Sequence, residues 1–258
     1  SNRSGADYTA AAKDAGGAAK FAYLSVDFAN PTGATVSRAA RERVIDLAEE
    51  MEIAVIEDAA YQSLRFDGDP IPPILALEAA RKGGDLEACR TIYCGSFSKT
   101  LSPGLRVGWV CAAMPVISQL VLMKQAADLH SATLNQIAIS SVAEQHFESH
   151  IDTIRSAYRA RRDAMLAALE AHMPKGVSWT KPEGGMFIWV TLPDTLDGAE
   201  LLKQSLESER VAFVPGHAFF ADGSGRNTLR LSYSTSTEDK IAEGIERLGQ
   251  LISRALNV

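Results

Sequence analysis

Short apolar runs alternate with helical stripes through the first half of the chain. Residues 21–28 (FAYLSVDF) read as a buried strand, broken sharply by Asn30-Pro31-Thr32-Gly33. Ser37 is a natural cap for a helix running to Met51, with Val44, Ile45, Leu47, Ala48 and Met51 at helical spacing. Residues 53–56 (IAVI) form a second apolar run, ending in Glu57-Asp58. Residues 91–95 (TIYCG) form a third, ending in Ser96-Phe97-Ser98-Lys99, and residues 106–113 (RVGWVCAA) a fourth. This alternation predicts an α/β fold with a mostly parallel sheet covered by helices.

From residue 116 the pattern turns helical, with helices expected over 116–128, 133–147 and 150–172. Short strands follow near 177–180, 186–191, 211–214 and 228–234, with helices near 198–209 and 237–255. That half reads as a smaller C-terminal α+β domain. The domain reading is therefore a linker or disordered end over 1–20, in which Ala10 to Ala12 can form a turn or two of helix that Gly16-Gly17 would stop, a large domain over 21–149 and a small domain over 150–258.

Composition narrows the function classes. The 258 residues carry 26 basic and 32 acidic side chains, and the net charge of −6 argues against nucleic acid as a partner. The three cysteines, Cys89, Cys94 and Cys111, form no CxxC pair, so neither a disulfide framework nor a metal cluster is expected. No stretch has the length of a membrane helix, and residues 1–20 lack the apolar segment of a signal peptide. A cytoplasmic protein with no membrane partner is the simplest expectation.

In open α/β sheets ligands sit beyond the carboxyl ends of strands. Three polar groups fall there: Asn30, Asp58 with Tyr61, and the segment from Ser96 to Lys99. Ser96, Ser98 and Arg106 on one turn can hold a phosphate dianion. Beside them Lys99 can form an imine with a carbonyl cofactor, although a single lysine is ordinarily a solvated cation. Asp58 reads either as a turn aspartate or as the partner of a protonated ring nitrogen. Tyr61 reads as a half-buried tyrosine or a donor to the same ligand, and Asn30 as a turn former before proline.

Taken in order, NPTG (30–33), DAAY (58–61), SFSK (96–99) with SPGLRVGW (102–109), GGMFIW (184–189) and TLRLSYS (228–234) resemble a class I/II aminotransferase of fold type I, dependent on pyridoxal 5′-phosphate. The subgroup of 2-aminoadipate and kynurenine aminotransferases is the most similar. The resemblance implies that Lys99 holds the cofactor as a Schiff base and shuttles a proton. It implies that Asp58 faces the pyridine nitrogen, that Asn30 and Tyr61 bond the ring's phenolate oxygen, and that Ser96, Ser98 and Arg106 grip the phosphate. Arg230 matches the arginine that pairs the substrate α-carboxylate, with Asn30 beside the substrate. The implied partners are an α-amino acid and a 2-oxo acid, and the implied assembly is a homodimer.

Members of the family extend further at the N-terminus, where they carry a phosphate loop and an aromatic that stacks on the pyridine ring. Neither can be located in this sequence, so weak cofactor binding is expected of these 258 residues alone. Two other functions share the scaffold: a lyase using the same cofactor, and the effector domain of a MocR-type transcription regulator.

Overall fold

A computed structural model describes residues 3–256. Residues 1–2 of the expected linker and 257–258 of the expected small domain lie outside the described residues. The first element is helix α1 (Gly5–Asp14), where a linker or disordered end was expected. Ser4 and Asp7 explain the difference: each side chain accepts the other's backbone N–H, a capping box that starts a helix. The helix stops before Gly16, which takes φ +81°.

The described residues divide into two units. One comprises residues up to Val26 together with 36–63 and 69–151; the other comprises 27–35, 64–68 and the residues from 152 onward. Two short segments of the first half, 27–35 and 64–68, thus belong to the second unit.

In the first unit, strand β1 (Phe21–Leu24) is followed by helix α2 (Arg38–Glu50), strand β2 (Ala54–Asp58) and helix α3 (Ile74–Arg81). Strands β3 (Thr91–Ser96) and β4 (Gly108–Cys111) and helix α4 (Met114–Ala127) complete it, with the leading part of helix α5 (Thr133–His172). The sheet order is β1-β2-β3-β4; the first three strands are parallel and β4 is antiparallel to β3. Strand β1 is shorter than the apolar run that predicts it: its pairing ends at Leu24, and Asp27 and Phe28 belong to the second unit.

Helices α2 and α3 cover one face of this sheet. Val26, Ile45, Ala48, Ile53, Val55, Ile74 and Leu77 form the core between them, each of the larger side chains contributing roughly 1.5–3 kcal/mol over an exposed position. Polar groups buried with them are matched to backbone. Arg41 is fully buried and donates to the carbonyls of Val26, Val36, Ile71 and Pro72. Glu57 accepts the first N–H groups of α3, from Ile74 and Leu75, and Glu78 accepts those of Arg90 and Thr91.

Helix α3 was not anticipated, although Pro73 precedes the good helix formers ILALEAAR. Helix α5 is continuous where two helices were expected, since its 40 residues contain neither Gly nor Pro. Helix α4 has no buried residue, and Leu120, Val121, Leu122 and Met123 are exposed on it. Among the described residues no helix is long and apolar enough to cross a membrane.

In the second unit, β5 (Ser178–Trp179), β6 (Phe187–Thr191), β7 (Val214–Pro215) and β8 (Thr228–Ser232) form an antiparallel sheet in the order β5-β6-β8-β7. Helix α6 (Gly198–Gln204) continues into a π turn over Ser205–Glu209. Helix α7 (Glu238–Ala255) buries Ile241, Ile245, Leu248, Leu251 and Ile252, a stripe at helical spacing. The early segments join this unit through backbone and side-chain hydrogen bonds. Phe66 N–H donates to Glu183 O at 2.8 Å, and Thr180 Oγ1 donates to Thr32 O at 2.9 Å.

Candidate active site

Side chains alternate across a strand, so the register decides which residues share a face. Tyr23 pairs with Ile56, Asp58 with Cys94, and Ser96 with Gly108. One face of the first sheet therefore carries Tyr23, Ile56, Asp58, Ile92, Cys94 and Ser96. All six are exposed or half-buried. The opposite face carries Val55, Glu57 and Thr91, which are buried under α2 and α3. The chemistry-bearing residues lie on the uncovered side.

Asp58 ends β2 on that side. Its Oδ1 accepts the Ala60 N–H at 3.2 Å, and its Oδ2 accepts the hydroxyl of Tyr23. Among the described residues no lysine or arginine pairs with Asp58, so neutral donors hold a carboxylate whose charge is uncompensated. The bond to Asp58 pushes the Tyr23 phenol up to about 12, with burial and the carboxylate's charge adding to it. Burial raises the neighbouring Cys94 thiol, and Asp58 raises it further. Tyr61 is buried just past the strand, where Ala59 N–H continues the pairing to Cys94 O at 3.0 Å.

Lys99 lies in a tight turn after β3. Phe97 N–H bonds Val107 O at 3.1 Å, and the N–H groups of Thr100, Leu101 and Ser102 converge on Phe97 O. Ser98 N–H donates to Ser96 Oγ at 3.0 Å. Arg106 adopts the left-handed conformation, φ +53°, and reaches back to Ser98 Oγ at 3.4 Å and Pro103 O at 3.1 Å. The turn thus gathers two hydroxyls and a guanidinium. Among the described residues no hydrogen bond or ion pair engages the Lys99 amine.

Asn30 and Arg230 belong to the second unit. Arg230, in β8, holds its guanidinium 4.2 Å from the ring centre of Phe187 and 5.1 Å from that of Phe219. It donates to Asn30 Oδ1. The turn bearing Asn30 is closed by Gly33 N–H to Ala29 O at 2.7 Å. Gly33 takes φ +69°, and a Cβ there would stand 2.5 Å from Phe187 O. Only glycine fits that approach.

Every residue expected at the site is therefore placed. The first unit brings Ser96, Ser98 and Arg106 together on the Lys99 turn, with Asp58 on the same sheet face and Tyr61 just beyond it. The second brings Asn30 to Arg230. Tyr23 was missed; within FAYLSVDF it reads as one more apolar strand residue, and its partner lies 35 residues away.

Comparison with known proteins gives these motifs a family. The model for "Aminotransferase class I and II" matches residues 25–248. The chain is 44% identical over 239 residues to a 2-aminoadipate transaminase of Thermus thermophilus, covering 92% of this chain and 58% of that protein. The crystal structure of a Pyrococcus horikoshii kynurenine aminotransferase in complex with PMP superposes with a TM-score of 0.89 at 42% identity, over 98% of this chain and 61% of that one. An uncharacterized HTH-type transcriptional regulator of Bacillus subtilis is 33% identical over 231 residues, 89% of this chain and 46% of its own length. The chain thus spans about half to three-fifths of the length of the relatives it matches. With its ordered motifs, its α/β sheet and a family match across most of its length, the chain belongs to the class I and II aminotransferases.

Proposed function

We propose that this chain carries the working residues of a pyridoxal 5′-phosphate-dependent aminotransferase that moves an amino group between an α-amino acid and a 2-oxo acid. The observation that carries the reading is the Lys99 turn. An unengaged amine stands with Ser96, Ser98 and Arg106, and Asp58 lies on the same face of the sheet. Two hydroxyls and a guanidinium suit a phosphate dianion, and a free amine suits an aldehyde. A carboxylate without a cation suits a protonated pyridine nitrogen. The residues present therefore fit the cofactor.

When bound, pyridoxal phosphate supplies a carbonyl that exchanges amino groups and a ring that accepts electrons from the substrate α-carbon. Ser96, Ser98 and Arg106 bind its phosphate. Asp58 holds a proton on the ring nitrogen, and Tyr61 offers its hydroxyl to the phenolate oxygen. The Lys99 amine would take the proton from the substrate α-carbon as a base and deliver it, as an acid, to the carbon that bore the cofactor's carbonyl. Arg230 pairs the two oxygens of the α-carboxylate, and Asn30 holds the guanidinium in place. Retaining the carboxylate favours transamination over decarboxylation.

A homodimer in the cytoplasm is part of this proposal. The exposed apolar side chains of α4 support a covering partner. The likeness to a transcription regulator supports a second reading, an effector domain that binds the cofactor without turnover.

Borohydride reduction with excess pyridoxal phosphate, followed by peptide mapping, tests the proposal. A stable adduct is expected on Lys99. Lys99→Ala should lose both the adduct and amino transfer between an amino acid and a 2-oxo acid. Labelling at another lysine, or turnover by the variant, overturns the assignment. An adduct without any turnover favours the effector reading.

A further inference from the structure

Asp58 is held by two donors of different origin. The Ala60 N–H that reaches Oδ1 is local, two residues along the chain. The Tyr23 hydroxyl that reaches Oδ2 comes from the neighbouring strand. Parallel pairing sets Tyr23 opposite Ile56, two positions before Asp58 and on the same face. The offset is about 6.6 Å along the strand, a span that a phenol ring and its hydroxyl can cover. With one donor on each oxygen, the plane of the carboxylate is fixed, and each oxygen keeps a lone pair for a further donor.

The nature of the donors matters as much as their number. An arginine or lysine in the place of Tyr23 would orient Asp58 but also neutralise it. A phenol orients the group and leaves its full charge for a cation. We propose that Tyr23 is a positioning residue for Asp58, aiming an uncompensated carboxylate at the protonated ring nitrogen of the cofactor; this deepens the aminotransferase reading and rests on it.

The electrostatic surroundings agree. The ionisable groups that act on the Tyr23 phenol are Asp58, Cys94 and Tyr61, and each of them raises it. Tyr23 therefore remains a donor throughout the neutral range. It is 59% exposed on the outer strand β1, so it contributes little to the core, and its removal leaves the fold in place.

Tyr23→Phe tests the role with two readouts. The first needs no cofactor. Tyrosinate absorbance across a pH titration should show a phenol ionising near 12 in the unmodified protein. That phase should vanish in Tyr23→Phe and fall towards the ordinary value, about 10, in Asp58→Asn. The second is borohydride trapping on Lys99 over a series of pyridoxal phosphate concentrations. Tyr23→Phe should need roughly tenfold more cofactor for half-labelling, as for a lost hydrogen bond to a charged group. The pH midpoint of its visible cofactor band should also move, while the circular-dichroism spectrum of the cofactor-free protein at neutral pH shows the fold retained. If no high-pH phenol is present, or if Lys99 labels normally in Tyr23→Phe with an unmoved midpoint, the positioning role is overturned by itself. If the unmodified protein does not label at Lys99, the aminotransferase reading falls and takes this inference with it.

Discussion

Asn30 and Arg230 stand 200 residues apart in sequence and share a hydrogen bond, the guanidinium donating to the amide oxygen. Phe187 and Phe219 flank the same guanidinium, so three side chains fix its plane. A planar, pre-oriented donor fork suits a carboxylate far better than a mobile point charge does. On the proposed role of Arg230, much of the ordering that binding a carboxylate would otherwise require is already present in the fold.

Arg230→Lys keeps the charge and loses the fork. The expected result is a fall of roughly 10- to 100-fold in the efficiency of the amino-acid half-reaction, from the loss of a charge-assisted hydrogen bond. Single-turnover kinetics with a series of amino acids measures it. An unchanged rate would remove Arg230 from substrate binding.

Arg106→Ala separates phosphate recognition from the rest of the cofactor. The variant should need on the order of tenfold more pyridoxal phosphate to label Lys99. Labelling by pyridoxal, which has no phosphate, should be unaffected. Equal losses with both compounds would mean that Arg106 supports the turn rather than the ligand, since it also donates to Pro103 O.

Gly33→Ala meets two obstacles at once. The residue is held at φ +69°, and the new methyl would lie 2.5 Å from the Phe187 carbonyl and 3.0 Å from Pro182. Because the nearest atom is backbone, relief requires the strand to move. A loss of about 2–4 kcal/mol is expected in urea denaturation. Gly83→Ala is the control, with φ +69° and nothing within 4 Å. It should cost only about 1–2 kcal/mol, the penalty for the left-handed conformation alone.

The Tyr23 phenol fixes the sign of the stability change in alkali. Its ionisation is raised from 10 to about 12 on folding, so the folded chain keeps a proton that the unfolded chain has released. The contribution is complete below pH 10 and is lost as the pH climbs towards 12. Chemical denaturation across that window should show a decline that is absent in Tyr23→Phe.

The elements most legible in the sequence were those whose signal is local. Ser37 capping α2 and the apolar run of β2 need only neighbouring residues to be read, and both stand where expected. The NPTG, SFSK and DAAY segments are legible in the same way, as contiguous runs. Helix α3 has eight residues, too few for periodicity to separate it from a loop, although the preceding prolines marked its start. The sequence reading leaves a gap at residues 148–149 between two helices, yet neither Gly nor Pro stands there to stop the backbone hydrogen bonds of α5 from continuing. Tyr23 stayed hidden because its role depends on register, which is set by which strands pair and not by the residues near it.

The first sheet divides its two duties by parity. Val55 and Glu57 point into the core, while Ile56 and Asp58 point outward. A slip of β2 by a single residue would carry Glu57 to the outside, leave the first N–H groups of α3 without their long-armed acceptor, and turn Asp58 away from Tyr23. One mistake in threading would then cost the start of a helix and the aim of a carboxylate together.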